Sequence, residues 1–238
     1  MTAVRKTFVS LGTVGGVTHV DRLRPRRAPR APGVLYQPEP LGERSRVGLA
    51  VMHATVSFLD HISCEQLAGR GYTVLAMDPP LSSPNLWEDL PGYLALGVEH
   101  LRASGLVDSV VLLGHSGGGP LAAFYQALAE NGPARGDTIV PLPKDLAGLP
   151  PADGMVLLDS HLSPSFGTLT YVDPSLRDDG ARDPELDMYA ERNGWSPDGA
   201  SYSAAFRRRF FDAQARRHQA LLNRALDRLA AIQAGRAA

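Results

Sequence analysis

The stretch Ser109-Val110-Val111-Leu112-Leu113-Gly114-His115-Ser116-Gly117-Gly118-Gly119-Pro120 decides how the chain is read. A short apolar run leads into a glycine-rich turn. Residues 120–130 then read as a helix, stopped by Asn131-Gly132-Pro133. A continuous apolar run of this length is the pattern of a strand buried on both faces. Ser116 therefore stands at a strand-to-helix turn, the Gly-x-Ser-x-Gly arrangement. Gly114 and Gly118 remove side chains that would collide with neighbouring backbone in so tight a turn. The hydroxyl is left projecting above the end of the sheet, where ligands bind in open α/β sheets. The Gly117 N–H, at the start of the helix, faces any negative charge that develops there.

The same rhythm recurs on either side. Residues 47–52, 73–77 and 154–158 are further apolar runs, and 58–70 and 87–103 carry apolar residues at helical spacing. Strands alternating with helices imply βαβ units and a mostly parallel sheet covered on both faces, an α/β class. Upstream, residues 7–11, the Gly15-Gly16 turn and residues 17–20 read as an antiparallel hairpin. Residues 22–32 read as an Arg/Pro-rich loop, and 33–36 as a short extended piece ended by Pro38 and Pro40. Downstream, 135–151 reads as a surface connection and 163–183 is rich in Pro, Ser, Gly and Asp. Residues 201–234 form one helical segment with Phe206, Phe210, Leu221, Leu222, Leu226 and Leu229 at a rough 3/4 spacing. The expected organisation is an α/β core over 1–160 and a helical, cap-like segment over 161–238.

Composition narrows the function classes. The 238 residues suit one α/β domain, and 44% hydrophobic residues provide for a real core. One cysteine, Cys64, excludes an intrachain disulfide and a cysteine-cluster zinc site. No apolar run is long enough to span a bilayer. The net charge of -1 argues against a nucleic-acid partner. The charge is unevenly spread, with net +6 over residues 1–46, -13 over 47–201 and +6 over 202–238. The basic ends are expected to pair against the acidic body. Residues 5–14 mimic a basic and then apolar leader, but glycines interrupt them and no small-x-small cleavage site follows, so a cytoplasmic protein is expected. His53 and His61 have no carboxylate at a ligand spacing, and Gly114–Gly119 lacks the Lys-Ser/Thr ending of a phosphate loop. No metal or organic cofactor is implied.

The Gly114-His115-Ser116-Gly117-Gly118 elbow, with the hairpin and alternating elements before it, resembles the α/β-hydrolase family over residues 7–160. The resemblance implies a serine nucleophile, Ser116, acting on an ester, thioester or related small acyl substrate through an acyl-serine. It implies an oxyanion donor at Gly117 N–H and a second in the loop after residues 47–52. That loop reads His53-Ala54-Thr55-Val56, where the family often has His-Gly. The donor is then a backbone N–H at Ala54 or Thr55, and His53 is expected to be a buried histidine bonded to a backbone carbonyl. The family order places an acid and then a histidine after the serine. Asp159, ending residues 155–158, matches the position the acid takes in lipase-like and dehalogenase-like members. Only His161 and His218 follow Ser116. His161 is the candidate base, and His218 lies among arginines on the long helix. The family's last strands and their histidine are missing from the pattern, so the sheet is expected to be incomplete at its C-terminal side. That leaves an inactive or truncated homologue with a binding or scaffold role as the alternative. An unpaired sheet edge would also favour self-association.

Overall fold

The computed structural model describes residues 2–14, 30–80, 87–133, 142 and 146–236. The chain divides into two compact units, Met1–Leu162 and Ser163–Ala238.

The first unit is a six-stranded mixed sheet with helices on both faces, in the order β1-β2-β4-β3-β5-β6. Its strands are β1 (Ala3–Ser10), β2 (Pro32–Glu39), β3 (Val47–Val51), β4 (Thr73–Met77), β5 (Ser109–His115) and β6 (Gly154–Leu158). The helices are α1 (Ile62–Ala68), α2 (Leu90–Ala103) and α3 (Gly118–Asn131). β4, β3, β5 and β6 run parallel, while β1 and β2 join antiparallel. Alternation along each strand separates two cores, because successive side chains point to opposite faces. On one face Val34, Tyr36, Leu49, Val51, Val74, Ala76 and Leu113 pack with Phe58 and with Cys64 and Ala68 of α1. On the other, Leu35, Ala50, Leu75, Met77, Val110 and Leu112 meet α2 and α3.

Four expectations are corrected. The partner of β1 is β2, in a register pairing Phe8 with Val34. The expected return strand at 17–20 lies outside the described residues. β2 also continues through Pro38, because its pairing to β4 covers only Gly33 to Tyr36. Past Tyr36 it has one neighbour, and a proline is tolerated where no ladder bond is needed. The helix expected from residue 58 begins at Ile62. The Phe58 N–H is held by the Asp78 carboxylate at 2.8 Å, and His61 caps the helix by accepting from Ser63 N–H. Finally, β6 is not buried: Met155, Val156, Leu157 and Leu158 are 40–51% exposed. It is the last strand of the sheet, with α3 on one face and no strand beyond it among the described residues.

The second unit holds α4 (Pro164–Tyr171) and α5 (Ala204–Gln233). Ser203 caps α5, and the Gln214 side-chain amide on α5 donates to the Val172 carbonyl at 2.8 Å. Tyr202, Phe206 and Phe210 stack in series, with ring centroids 5.3 and 5.8 Å apart. No described helix is long and apolar enough to cross a membrane.

Candidate active site

Ser116 follows the last residue of β5 and has φ +53°. This left-handed conformation is strained for a residue with a side chain and persists only when its surroundings fix it. The surroundings do so. A Cβ on Gly114 would lie 2.6 Å from the Gly118 carbonyl oxygen and from Gly119 Cα, and one on Gly118 would lie 2.6 Å from the Met52 oxygen. The turn can therefore close only with glycine at these positions. The Ser116 N–H donates to the Leu158 carbonyl at 3.2 Å, which ties the turn to β6.

The β5–β6 register brings the second group. His115 pairs with Leu158, so Ser116 and Asp159 stand level at the ends of two parallel strands. Asp159 is also left-handed, with φ +43°. The His161 N–H then donates to the Ser116 carbonyl at 3.2 Å, and His161 Nε2 lies 3.0 Å from Ser116 Oγ. A serine–histidine pair at hydrogen-bond distance is thus present. Asp159 is not brought into it: among the described residues no hydrogen bond or ion pair joins Asp159 to His161. His218 lies within α5 of the second unit.

The loop after β3 meets the turn from the opposite side. His53 is buried, at 8% exposure, and its Nε2 lies 3.1 Å from Gly117 N. Its Nδ1 faces the N–H groups of Thr55 and Val56 at 3.0 and 3.2 Å. The expected bond to a carbonyl is replaced by contacts to backbone donors. These contacts turn the Thr55 N–H toward the ring, so Ala54, itself buried, remains as the backbone candidate in that loop. Phe58 packs on the rings of His53 and His61 at 4.8 and 4.3 Å. His61 Nε2 reaches His115 Nδ1 at 3.0 Å. The His61–His115 pair was not expected from the sequence. Its one legible signal was a histidine inside the elbow itself.

Burial holds His53 below the ordinary histidine value, helped by the nearby imidazoles of His115, His161 and His61. His61 is lowered in the same way, first by burial and then by His115. Cys64 is buried in the core, which pushes its thiol up to about 12. That thiol is a packing group and no nucleophile.

No protein-family model matches the chain, and no curated protein sequence matches it. Solved structures do show similarity. A bacterial heroin esterase superposes with a TM-score of 0.46 at 16% identity, over 67% of this chain and 45% of its own. Esterase B from Lactobacillus rhamnosis gives 0.45 at 17%, over 71% and 53%. A putative dienelactone hydrolase from Klebsiella pneumoniae gives 0.39 at 15%, over 68% and 88%. The chain spans about half the length of the first two.

Proposed function

We propose that the protein is a serine hydrolase of α/β-hydrolase type acting on a small ester, thioester or related acyl substrate. The observation that carries the reading is Ser116 Oγ, held in a strained turn at the end of a parallel strand, 3.0 Å from His161 Nε2. In this scheme Ser116 Oγ attacks the carbonyl carbon and its proton passes to His161 Nε2. The carbonyl π pair moves onto oxygen, and the N–H groups of Gly117 and Ala54 receive that charge. The electron pair then returns, the C–O or C–S bond to the leaving group breaks, and His161 gives its proton to the departing group. Water, deprotonated by His161, then adds to the acyl carbon, and the C–Oγ bond breaks as His161 returns that proton to Ser116 Oγ and the acid leaves. Asp159, two residues before His161, is the proposed acid by position; its role is to hold His161 with the proton on Nδ1. The alternative, an inactive homologue with a binding or scaffold role, draws on the missing Asp159–His161 bond.

A fluorophosphonate probe with intact-mass detection tests this. We expect a single adduct on Ser116 that is lost in Ser116→Ala. Folded protein that takes up no probe would sink the hydrolase reading in favour of the inactive homologue.

A further inference from the structure

The hydrolase reading needs the Gly117 N–H for the oxyanion, and in this structure that donor is already taken. It donates to His53 Nε2 at 3.1 Å. A substrate oxygen about 2.9 Å from the Gly117 nitrogen, and in contact with the ring at about 3 Å, would stand roughly 60° away from Nε2 as seen from that nitrogen. The N–H can point straight at one of them and not at both. An accepting Nε2 also turns its lone pair toward any oxygen placed beside it, which opposes negative charge there. The contact is built into the turn. His53 is buried, and Phe58 packs on its ring at 4.8 Å. Gly117 has ordinary helical backbone, with φ -66°, so its conformation does not call for glycine. A Cβ there would instead meet the His53 ring, whose atoms are its three nearest neighbours, from 2.7 Å outward. At Gly114 and Gly118 the nearest atoms are all backbone.

The hold on Gly117 is also contested. A neutral imidazole has one lone pair to give, and the Thr55 and Val56 N–H groups face the other nitrogen, Nδ1, at 3.0 and 3.2 Å. The ring can serve Gly117 or this pair of donors, so it has a second set of partners when it leaves the first. We propose that His53 is an inhibitory plug on the oxyanion hole: its ring caps the Gly117 N–H at rest and must leave it for acyl transfer to proceed. The inference rests on the serine-hydrolase reading and adds a regulation of the same site. The competitor that displaces the ring is the charged oxygen. Hydrogen bonds to an ionised acceptor are roughly twice as strong as neutral ones. The neutral carbonyl of a bound ester or thioester therefore does not win the donor from the ring, whereas the tetrahedral oxyanion does. Breaking the bond to His53 is then part of the acylation barrier in every turnover.

The test has a kinetic and a structural arm, both on the full chain. With p-nitrophenyl butyrate, the burst of p-nitrophenolate reads acylation of Ser116. His53→Ala should raise that rate by about 2–10-fold, the size set by no longer breaking one neutral hydrogen bond. A histidine that merely supported the loop would give a fall. Gly117→Ala, whose Cβ pushes the ring aside, should raise the rate in the same direction, and should add nothing on top of His53→Ala because both act through one contact. In a crystal structure of the wild-type chain carrying a diethylphosphoryl group on Ser116, from diethyl p-nitrophenyl phosphate, the phosphoryl oxygen should lie within hydrogen-bond distance of Gly117 N, with His53 Nε2 moved out of reach. If His53→Ala does not fold, this adduct decides. A Ser116 that labels, beside a His53 still bonded to Gly117 in the adduct, overturns this inference alone. So does a folded His53→Ala whose acylation is unchanged or slower, or a Gly117→Ala whose gain adds to that of His53→Ala. A wild-type Ser116 that fails to label overturns the hydrolase reading and this inference with it.

Discussion

β4 and β6 are five-residue strands of one sheet, written in nearly the same apolar residues, and they stand in opposite surroundings. Val74, Leu75, Ala76 and Met77 are fully buried, between α1 on one face and α2 on the other. Met155 to Leu158 are about half exposed, and β6 ends the sheet. An apolar run states what a strand requires, while the layers around it decide whether that requirement is met. The difference reaches the candidate site. Ser116 is carried by β5, whose neighbours β3 and β6 lock it on both sides. His161 is carried by the end of β6. The nucleophile is held by the covered part of the molecule and the base by its exposed edge.

The largest expected effect falls on that edge. His161→Ala should lower kcat on p-nitrophenyl butyrate by about 10²–10⁴-fold, the usual contribution of a general base. The unfolding midpoint should stay close to wild type, since the His161 side chain lies exposed at the end of β6. A rate within a few-fold of wild type would remove His161 from the site. Asp159→Asn is the graded companion. Without a bond to His161 in this arrangement, it should cost clearly less than His161→Ala, and an equal loss would mean that Asp159 engages the ring during turnover.

Next in size is a matched pair of core truncations. Leu75→Ala should destabilise by about 3 kcal/mol, within the range for fully buried leucines, whereas Leu157→Ala should cost under about 1 kcal/mol because half of the side chain is already in water. Urea unfolding of the two variants reads this directly. An equal cost would mean that β6 is covered in solution. The proposed cover is a second copy of the chain, paired edge to edge through β6, because an apolar edge with unpaired backbone groups is a template for another strand. Sedimentation equilibrium should then show a dimer that Val156→Lys converts to monomer, since the added charge opposes burial of that face. A wild-type chain that stays monomeric at high concentration would break the proposal and leave the exposed edge as it stands.

Much of the covered part was legible in the residues, and the edge was not, for reasons that are physical. β4 and β6 begin and end where their apolar runs do, because Gly71 and Asp78 bound one, and Gly154 and Asp159 the other. The turn at Ser116 was legible because only glycine tolerates the close approaches at 114 and 118, so the geometry is written in residue type. The reach of His161 was not, since it depends on the β5–β6 register and on the left-handed backbone at Asp159, and neither is encoded in a single residue. The partner of β1 escapes a local reading for a related reason. A Gly-Gly pair signals a turn locally, whereas pairing to residues 32–39 is decided by what those residues gain against β4. The setting of His53 was hidden too. Burial follows from its place after a buried strand, but which way the ring turns depends on the donors of the loop that folds over it.

The smallest effect concerns acid, and it separates the two halves by charge instead of packing. His53 and His61 lie on the covered side, against Phe58, and burial followed by neighbouring imidazoles lowers both below the ordinary histidine value. As pH falls through about 6.5, these histidines take up protons in the unfolded chain while the folded chain still resists them. The unfolded state then binds more protons, so stability rises with pH in this window. The stabilising contribution is fully present above about pH 6.5 and is lost progressively on acidification toward the lowered folded-state values. The melting temperature should therefore drop between pH 7.5 and 5.5. His53→Gln, which removes one of the two titrating groups, should flatten that drop, while Leu157→Ala on β6 should leave its slope unchanged. A slope identical in wild type and His53→Gln would mean that His53 is not held neutral by its surroundings, and the acid sensitivity would have to come from elsewhere in the fold.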